Sequence, residues 1–203
     1  MTVITAEDFT GSIADSLQYI SFFHPPDFIR AMARAYEREE SEAARSAIAQ
    51  ILVNSRMAAE GHRPVCQDTG IVVVFLKIGM EVRFDSRLPV QDLVDEGVRR
   101  AWNHPDNPLR ASIVAPAFGA RRNTMDNTPA VVHTELVAGS RRVGVVAPGH
   151  DGRTVVVTID APAVPGHDEA AIGCHRHLGN PFVLTGRGVD GELTTGGRAI
   201  GIE

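Results

Sequence analysis

The chain has 203 residues, of which 43% are hydrophobic, and carries a formal net charge of −5. That size and composition allow one domain, or one domain with an extension, to bury a core of ordinary size. No apolar run approaches the roughly 20 residues that a membrane-spanning helix needs, and the N-terminus lacks the order of a signal peptide. The sequence therefore predicts a cytoplasmic protein. It has no block of basic residues, which argues against nucleic acid as a partner.

Helical spacing of apolar residues predicts three helices within the first sixty residues. The first follows Thr5, a suitable N-cap, and ends near Phe23. The second begins at Pro26, since proline is tolerated in a first helical turn. The third runs from about 41 to 59 and stops at Gly61. The residues expected to face the interior from the third helix are Ala47, Ile48, Ile51 and Leu52.

The run 71–76 is apolar and rich in β-branched residues, which predicts a core strand covered on both faces. Helical spacing returns at Val90–Trp102. Four later runs have the length of strands and could pair into a sheet: 112–115, 130–137, 143–147 and 154–159. Helices first and strands later predict an α+β fold, with an N-terminal helical platform packed on a mixed β-sheet.

The composition changes after Ser140, because twelve of the nineteen glycines fall in the last 63 residues. This glycine content predicts an irregular extension over 141–203 with only short strands, such as 182–184. The chain is therefore expected to divide into a regular part, 1–140, and a loop-rich C-terminal tail.

The polar stretch 63–70 sets Cys66 beside Gln67 and Asp68 at the entry to the core strand. A buried structural cysteine normally has apolar neighbours, so this setting favours an iron ligand or a reactive thiolate. Asp68 could bind a substrate hydroxyl or relay a proton, or it could simply cap the turn before Gly70, and the residues leave both open. The second cysteine, Cys174, lies 108 positions further on, which argues against a disulfide framework.

The stretch 60–75, which reads EGHRPVCQDTGIVVVF, resembles the first cluster-ligand motif of class I, iron–sulfur-dependent fumarate hydratases. Further segments resemble that family in the same order along the chain, and together the likeness covers roughly residues 1–140. Tartrate dehydratase α subunits share the cysteine motif and parts of the pattern. The further segments are 54–57, 96–100, 107–114 and 126–133.

The resemblance implies a [4Fe–4S] hydro-lyase that interconverts fumarate and (S)-malate, with 1–140 as its cluster-binding domain. It implies that Cys66 is one of three cysteine ligands, which leaves the fourth iron open to a small dicarboxylate. The chain has only two cysteines, so it cannot supply three ligands by itself. Cys174, which follows Gly173, is the candidate for a second ligand.

The resemblance also places Gln67, Asp68 and Arg110 near the substrate, with Asp68 as the catalytic candidate. Arg110 is suited to clamp one carboxylate through paired hydrogen bonds, although an arginine can equally be an exposed or ion-paired surface residue. Asn127 and Thr128 are also predicted as substrate-binding residues, in the loop that backs the substrate site, and Asn-Thr-Pro is also a good turn sequence.

The family's later cysteine motifs and its C-terminal substrate-binding domain have no counterpart after Ser140. A homodimer, or a partner subunit that supplies the second domain, is therefore expected. Two other interpretations stay open. One is a non-catalytic remnant or accessory binding module without a cluster. The other is a mononuclear metal enzyme that uses a cysteine with nearby histidines, the candidates being His62, His175 and His177.

Overall fold

The computed structural model describes residues 1–66, 70–116, 118–148, 154–159 and 172–173. It confirms the α+β prediction, with helices gathered in the first half of the chain and most strands in the second. In chain order the elements are β1 (Thr2–Thr5), α1 (Ala6–Phe22), α2 (Pro26–Arg38), α3 (Glu42–Gly61), β2 (Val73–Gly79), β3 (Val82–Asp85), α4 (Val90–Trp102), β4 (Val114–Ala115), β5 (Arg122–Asn123), β6 (Val131–Val137), β7 (Val143–Pro148), β8 (Thr154–Ile159) and β9 (Ile172–Gly173).

The helix boundaries follow from local capping chemistry. Thr5 accepts a hydrogen bond from the backbone N–H of Asp8 at the start of α1, and Ser41 does the same for Ala44 at the start of α3. Pro26 occupies the first turn of α2, as predicted. His62 ends α3 in the left-handed conformation, with φ of 47°. The four predicted helices are therefore confirmed, with ends shifted by no more than two residues.

The main sheet has five strands in the order β6-β2-β7-β8-β9. β2 is its organising strand, because it pairs in parallel with β6 and antiparallel with β7. Three of the four predicted later strands join this sheet. The fourth, β4, pairs instead with β5 in a separate two-stranded ribbon, so its expected place in the main sheet was wrong. The strands β1 and β3 pair in parallel in a third small sheet, which was not predicted from the sequence.

The hydrophobic core lies between one face of the main sheet and the helices α1 and α4. Two expectations about burial were wrong. The strand β2 buries mainly one face, since Phe75 is 43% exposed and Lys77 is also exposed, and α3 leaves Ile51 42% exposed. Only Ser55 and Ala58 are buried in α3. The residues of the core that are less than 3% exposed are Ile4, Phe9, Ile13, Val74, Leu76, Leu93, Val94, Val98, Ala101, Val143 and Val145.

The predicted division at Ser140 stays a prediction. β7 and β8 lie beyond that point and pair with the strands of the first part through β2. The predicted strand at 182–184 lies outside the described residues. Within the described ranges, no helix is long and apolar enough to cross a membrane.

Candidate active site at the entry to the central strands

The parallel pairing of β2 with β6 brings two loops to one edge of the sheet. Val73 lies opposite Val131, and the backbone N–H of Val131 donates to the carbonyl of Val72 at 2.8 Å. The loop that carries Cys66 leads into β2, and the loop that carries Asn127 leads into β6. Because parallel strands begin at the same edge, these two loops are neighbours in space.

The cysteine loop is fixed on its N-terminal side. The N–H of Val65 donates to the carbonyl of Ser21 at the end of α1, at 2.9 Å. The side-chain amide of Asn54 in α3 donates to the carbonyl of Val65, also at 2.9 Å. Both backbone groups of Val65 are thus bonded to helices, which determines where the next residue, Cys66, emerges. The side chain of Cys66 is exposed.

A contact from the same loop reaches the segment that carries Arg110. Arg63 donates from Nη1 to the carbonyl of Asp106 at 3.0 Å. Asp106 stands four positions before Arg110, and Arg63 stands three positions before Cys66. This hydrogen bond therefore connects the segment just before Cys66 to the segment just before Arg110.

The segment 103–110 is itself held by buried amides. Gln18 donates from Nε2 to the carbonyls of Ala101 and Asn107, at 2.5 and 3.0 Å, and its Oε1 accepts from Asn107 at 2.8 Å. The indole N–H of Trp102 donates to the carbonyl of Arg110 at 3.1 Å. The Arg110 backbone is therefore anchored to α4, while its side chain is exposed.

Asn127 makes the corresponding link on the C-terminal side. Its Oδ1 accepts from the backbone N–H groups of Ser112 and Ile113 at 2.8 and 3.2 Å, and its Nδ2 donates to the carbonyl of Gly70 at 3.0 Å. Asn127 is fully buried and has a φ of 62°, a left-handed conformation that asparagine tolerates better than most residues. One side chain thus binds the end of the cysteine loop to the chain just after Arg110.

Thr128 belongs to the turn that supports Asn127. Oδ1 of Asp126 accepts from the N–H and the hydroxyl of Thr128, at 3.1 and 2.8 Å. Oδ2 of Asp126 accepts from Nε of Arg99 in α4, at 3.0 Å. Partial burial acts to raise the pKa of Asp126, but the hydrogen bonds from Thr128 and Arg99 outweigh it and hold that pKa below its ordinary value. The turn is therefore tied to α4 by a charged contact.

The structure thus relates several of the predicted site residues to one another. Cys66 and Arg110 lie on segments that are cross-linked on both sides, and Asn127 is one of the two links. Gln67, Asp68 and Cys174 lie outside the described residues, so their predicted roles stay predictions. Sequence reasoning gave no individual role to the other residues that build this framework, since a glutamine, a serine or an arginine in a helix or loop carries no signal of its partner. They are Gln18, Ser21, Asn54, Arg63, Arg99 and Asp126.

The described part of the chain contains no group of three or more His, Cys, Asp or Glu side chains that could hold a metal ion. Cys66 is the one thiol in this part, and the whole chain has two. A cluster with three cysteine ligands therefore does not fit on a single copy of this chain. Of the histidines considered for a mononuclear site, His62 stacks on Phe22 with ring centroids 4.9 Å apart, whereas the two in the tail lie outside the described residues.

Comparison with known sequences decides the family. The sequence model of the family described as "Fumarate hydratase (Fumerase)" matches residues 10–150, which is more than half of the chain. The chain belongs to the fumarate hydratase family. Its match contains the whole framework described above, from Gln18 through Asn127.

One relative is named for a different activity. A protein of Methanocaldococcus jannaschii named "Putative L(+)-tartrate dehydratase subunit alpha" is 32% identical over 104 residues. The aligned part covers 51% of this chain and 36% of the relative. The chain thus matches about a third of the length of this relative.

Proposed function

We propose that this chain carries the cysteine-loop part of a hydro-lyase that adds water to fumarate to give (S)-malate. The observation that supports it best is that hydrogen bonds from Arg63 and Asn127 connect the Cys66 loop to the Arg110 segment. That framework holds the Cys66 loop and the Arg110 segment beside each other, which is the arrangement that the proposed binding of a dicarboxylate between the two side chains requires. Membership of the family supports the hydro-lyase class.

The proposed roles follow from the chemistry of each group. Arg110 binds one carboxylate of the substrate with two N–H donors. Gln67 orients the substrate through its amide, and Asp68 moves the proton as the hydroxyl adds to one alkene carbon and the hydrogen to the other. Thr128 belongs to the loop behind the substrate.

The cofactor proposed for this activity is a [4Fe–4S] cluster shared with other thiolates. Cys66 contributes one ligand and Cys174 is the candidate for a second. Because one copy cannot supply three, the remaining ligands come from a second copy or from a partner subunit, in the cytoplasm. A partner subunit would also supply the second substrate-binding domain. Such a cluster supplies a Lewis-acidic iron when it is bound.

Anaerobic incubation of the purified chain with ferrous iron and sulfide tests the thiolate assignment. We expect sulfur-to-iron charge-transfer absorbance and bound iron in the wild-type protein, and loss of both in Cys66→Ser. Ser46→Ala is a matched control, since Ser46 lies on the exposed side of α3. Iron bound equally by wild type and Cys66→Ser would contradict the assignment.

Activity is tested on the preparation that retains iron, with fumarate and with tartrate as separate substrates. We expect malate formation from fumarate. Arg110→Ala should lower kcat/KM mainly by raising KM, because a contact that binds a carboxylate equally in the ground state and the transition state is lost. Tartrate dehydration without fumarate hydration would replace fumarate by tartrate as the proposed substrate. Neither reaction, in a preparation that retains iron, would contradict the enzymatic proposal.

A second candidate is an accessory module of the same family that has no cluster. The count of two cysteines favours it. It predicts a folded chain that binds no iron under the same conditions, whether or not Cys66 is present.

A further inference from the structure

The side chain of Asn127 has its hydrogen bonds directed at the backbone. It is 0% exposed, and its three hydrogen bonds go to the carbonyl of Gly70 and to the N–H groups of Ser112 and Ile113. Gly70 lies four positions after Cys66, and Ser112 lies two positions after Arg110. Because the amide is used in these contacts, the described geometry suits it to holding the site rather than to touching a substrate.

We infer that Asn127 is a positioning residue that sets the separation of Cys66 and Arg110, an inference that rests on the proposed function for the importance of those two groups. A carboxamide suits this place because one end accepts from two N–H groups while the other donates to a carbonyl. Aspartate has the same shape but cannot donate when it is ionised. Glutamine is longer by one methylene, so it cannot make the same three contacts from this backbone.

The conformation of Asn127 allows its side chain to be tested apart from its backbone. Its φ of 62° strains most residues but not glycine. Asn127→Gly therefore removes the three hydrogen bonds without adding backbone strain. Asn127→Asp keeps the acceptor for Ser112 and Ile113 and removes only the donor to Gly70.

Asn123, at the end of β5, provides a matched control four positions before Asn127. Its Nδ2 donates to the carbonyl of Ala111 at 2.9 Å, and its Oδ1 accepts from the N–H of Met125 at 2.8 Å. It is exposed, and both of these hydrogen bonds stay within 111–125. Asn123→Asp and Asn123→Gly thus make the same chemical changes without altering a link to the cysteine loop.

The experiment measures the cross-linking rate between Cys66 and a thiol introduced by Arg110→Cys, with a short bis-maleimide, in the full chain carrying Cys174→Ser. No iron is added, so the outcome does not depend on cluster binding or activity. We expect Asn127→Asp and Asn127→Gly to slow cross-linking several-fold relative to the corresponding Asn123 variants. Acidification should restore the rate in Asn127→Asp, relative to Asn123→Asp at the same pH, because the introduced carboxyl then donates to Gly70.

Amide exchange in the same variants separates positioning from general folding. We expect protection of Val74 and Leu76 in β2 to remain, and protection of Ser112 and Ile113 to remain in Asn127→Asp alone. An unchanged cross-linking rate in the Asn127 variants would overturn the inference. Loss of protection throughout β2 would also overturn it, because Asn127 would then be a general stability residue. Failure of iron binding in the wild type would instead count against the proposed function only.

Discussion

At the scale of residues, charged contacts hold the turn before β6 to α4. Glu96 accepts from both Arg99 and Arg100, and Arg99 also donates to Asp126. Partial burial acts to raise the pKa of Glu96, but the hydrogen bonds from Arg100 and Arg99 outweigh it and keep that pKa below its ordinary value. The same direction holds for Asp126. These carboxylates stabilise the fold only while they are ionised.

The pH dependence of stability follows from that sign. A carboxyl whose folded pKa is lowered contributes stability above its unfolded pKa of about 4, and the contribution disappears as the pH falls through the folded value. We expect Asp126→Asn to be less stable than wild type at neutral pH, and to lose less further stability between about pH 5 and about pH 3. Urea unfolding across this range measures it. Identical acid dependence in the two proteins would contradict the assignment of Asp126.

At the scale of elements, the close packing of α1 on α4 depends on Gly97. A Cβ at this position would lie 2.7 Å from Cγ2 of Ile13 and 3.0 Å from the carbonyl oxygen of Thr10. A Cβ added to Gly11, which lies in α1, would have no neighbouring atom within 4 Å. Gly97 is therefore required for steric reasons, whereas Gly11 meets no steric requirement.

The two glycines make a paired prediction. Gly97→Ala should destabilise the protein by about 1–3 kcal/mol, because overpacking outweighs the better helix propensity of alanine. Gly11→Ala should stabilise it by up to about 1 kcal/mol through propensity alone. The free energies of unfolding in urea test both. Stabilisation by Gly97→Ala would show that the α1–α4 contact is looser than described.

The positions of the helices could be predicted from the sequence, but the side of each helix that is buried could not. Caps and proline are local signals, so Thr5 and Pro26 set helix starts that the structure confirms. Burial depends on partners that are distant in sequence, which is why Ile51 was expected inside and is exposed. The partners of Asn127 were equally hidden, because they are backbone groups 14, 15 and 57 positions away.

At the scale of the whole molecule, stability is unevenly distributed. α1 and α4 supply much of the core, whereas α2 has no buried residue and α3 has only Ser55 and Ala58. Apolar burial supplies most of the free energy that resists opening. The α2–α3 hairpin should therefore open without unfolding the α1–α4–sheet core.

Hydrogen exchange tests this directly. We expect amides in α2 to exchange orders of magnitude faster than those in α4, Val90–Trp102, and to respond little to Gly97→Ala. Amides near Leu93 and Val98 should exchange only through global unfolding. Equal protection in α2 and α4 would mean that α2 is covered by something that the described residues do not include, such as another copy of the chain.

The order of the main sheet could not be read from the sequence. Short apolar runs predicted strands, but the placement of β2 between a parallel and an antiparallel neighbour depends on long-range pairing. That pairing is what brings the Cys66 and Asn127 loops together. The site therefore depends on a feature of the whole molecule that local patterns do not specify.

The proximity of Cys66 and Arg110 is the central claim, and cross-linking in the Cys174→Ser chain tests it most directly. A thiol introduced by Arg110→Cys is compared with one introduced by Met80→Cys, which lies beyond the far end of β2, about 20 Å from its start. A short bis-maleimide should join Cys66 to the first thiol and not to the second. Equal cross-linking to both, or cross-linking to the second alone, would contradict the account.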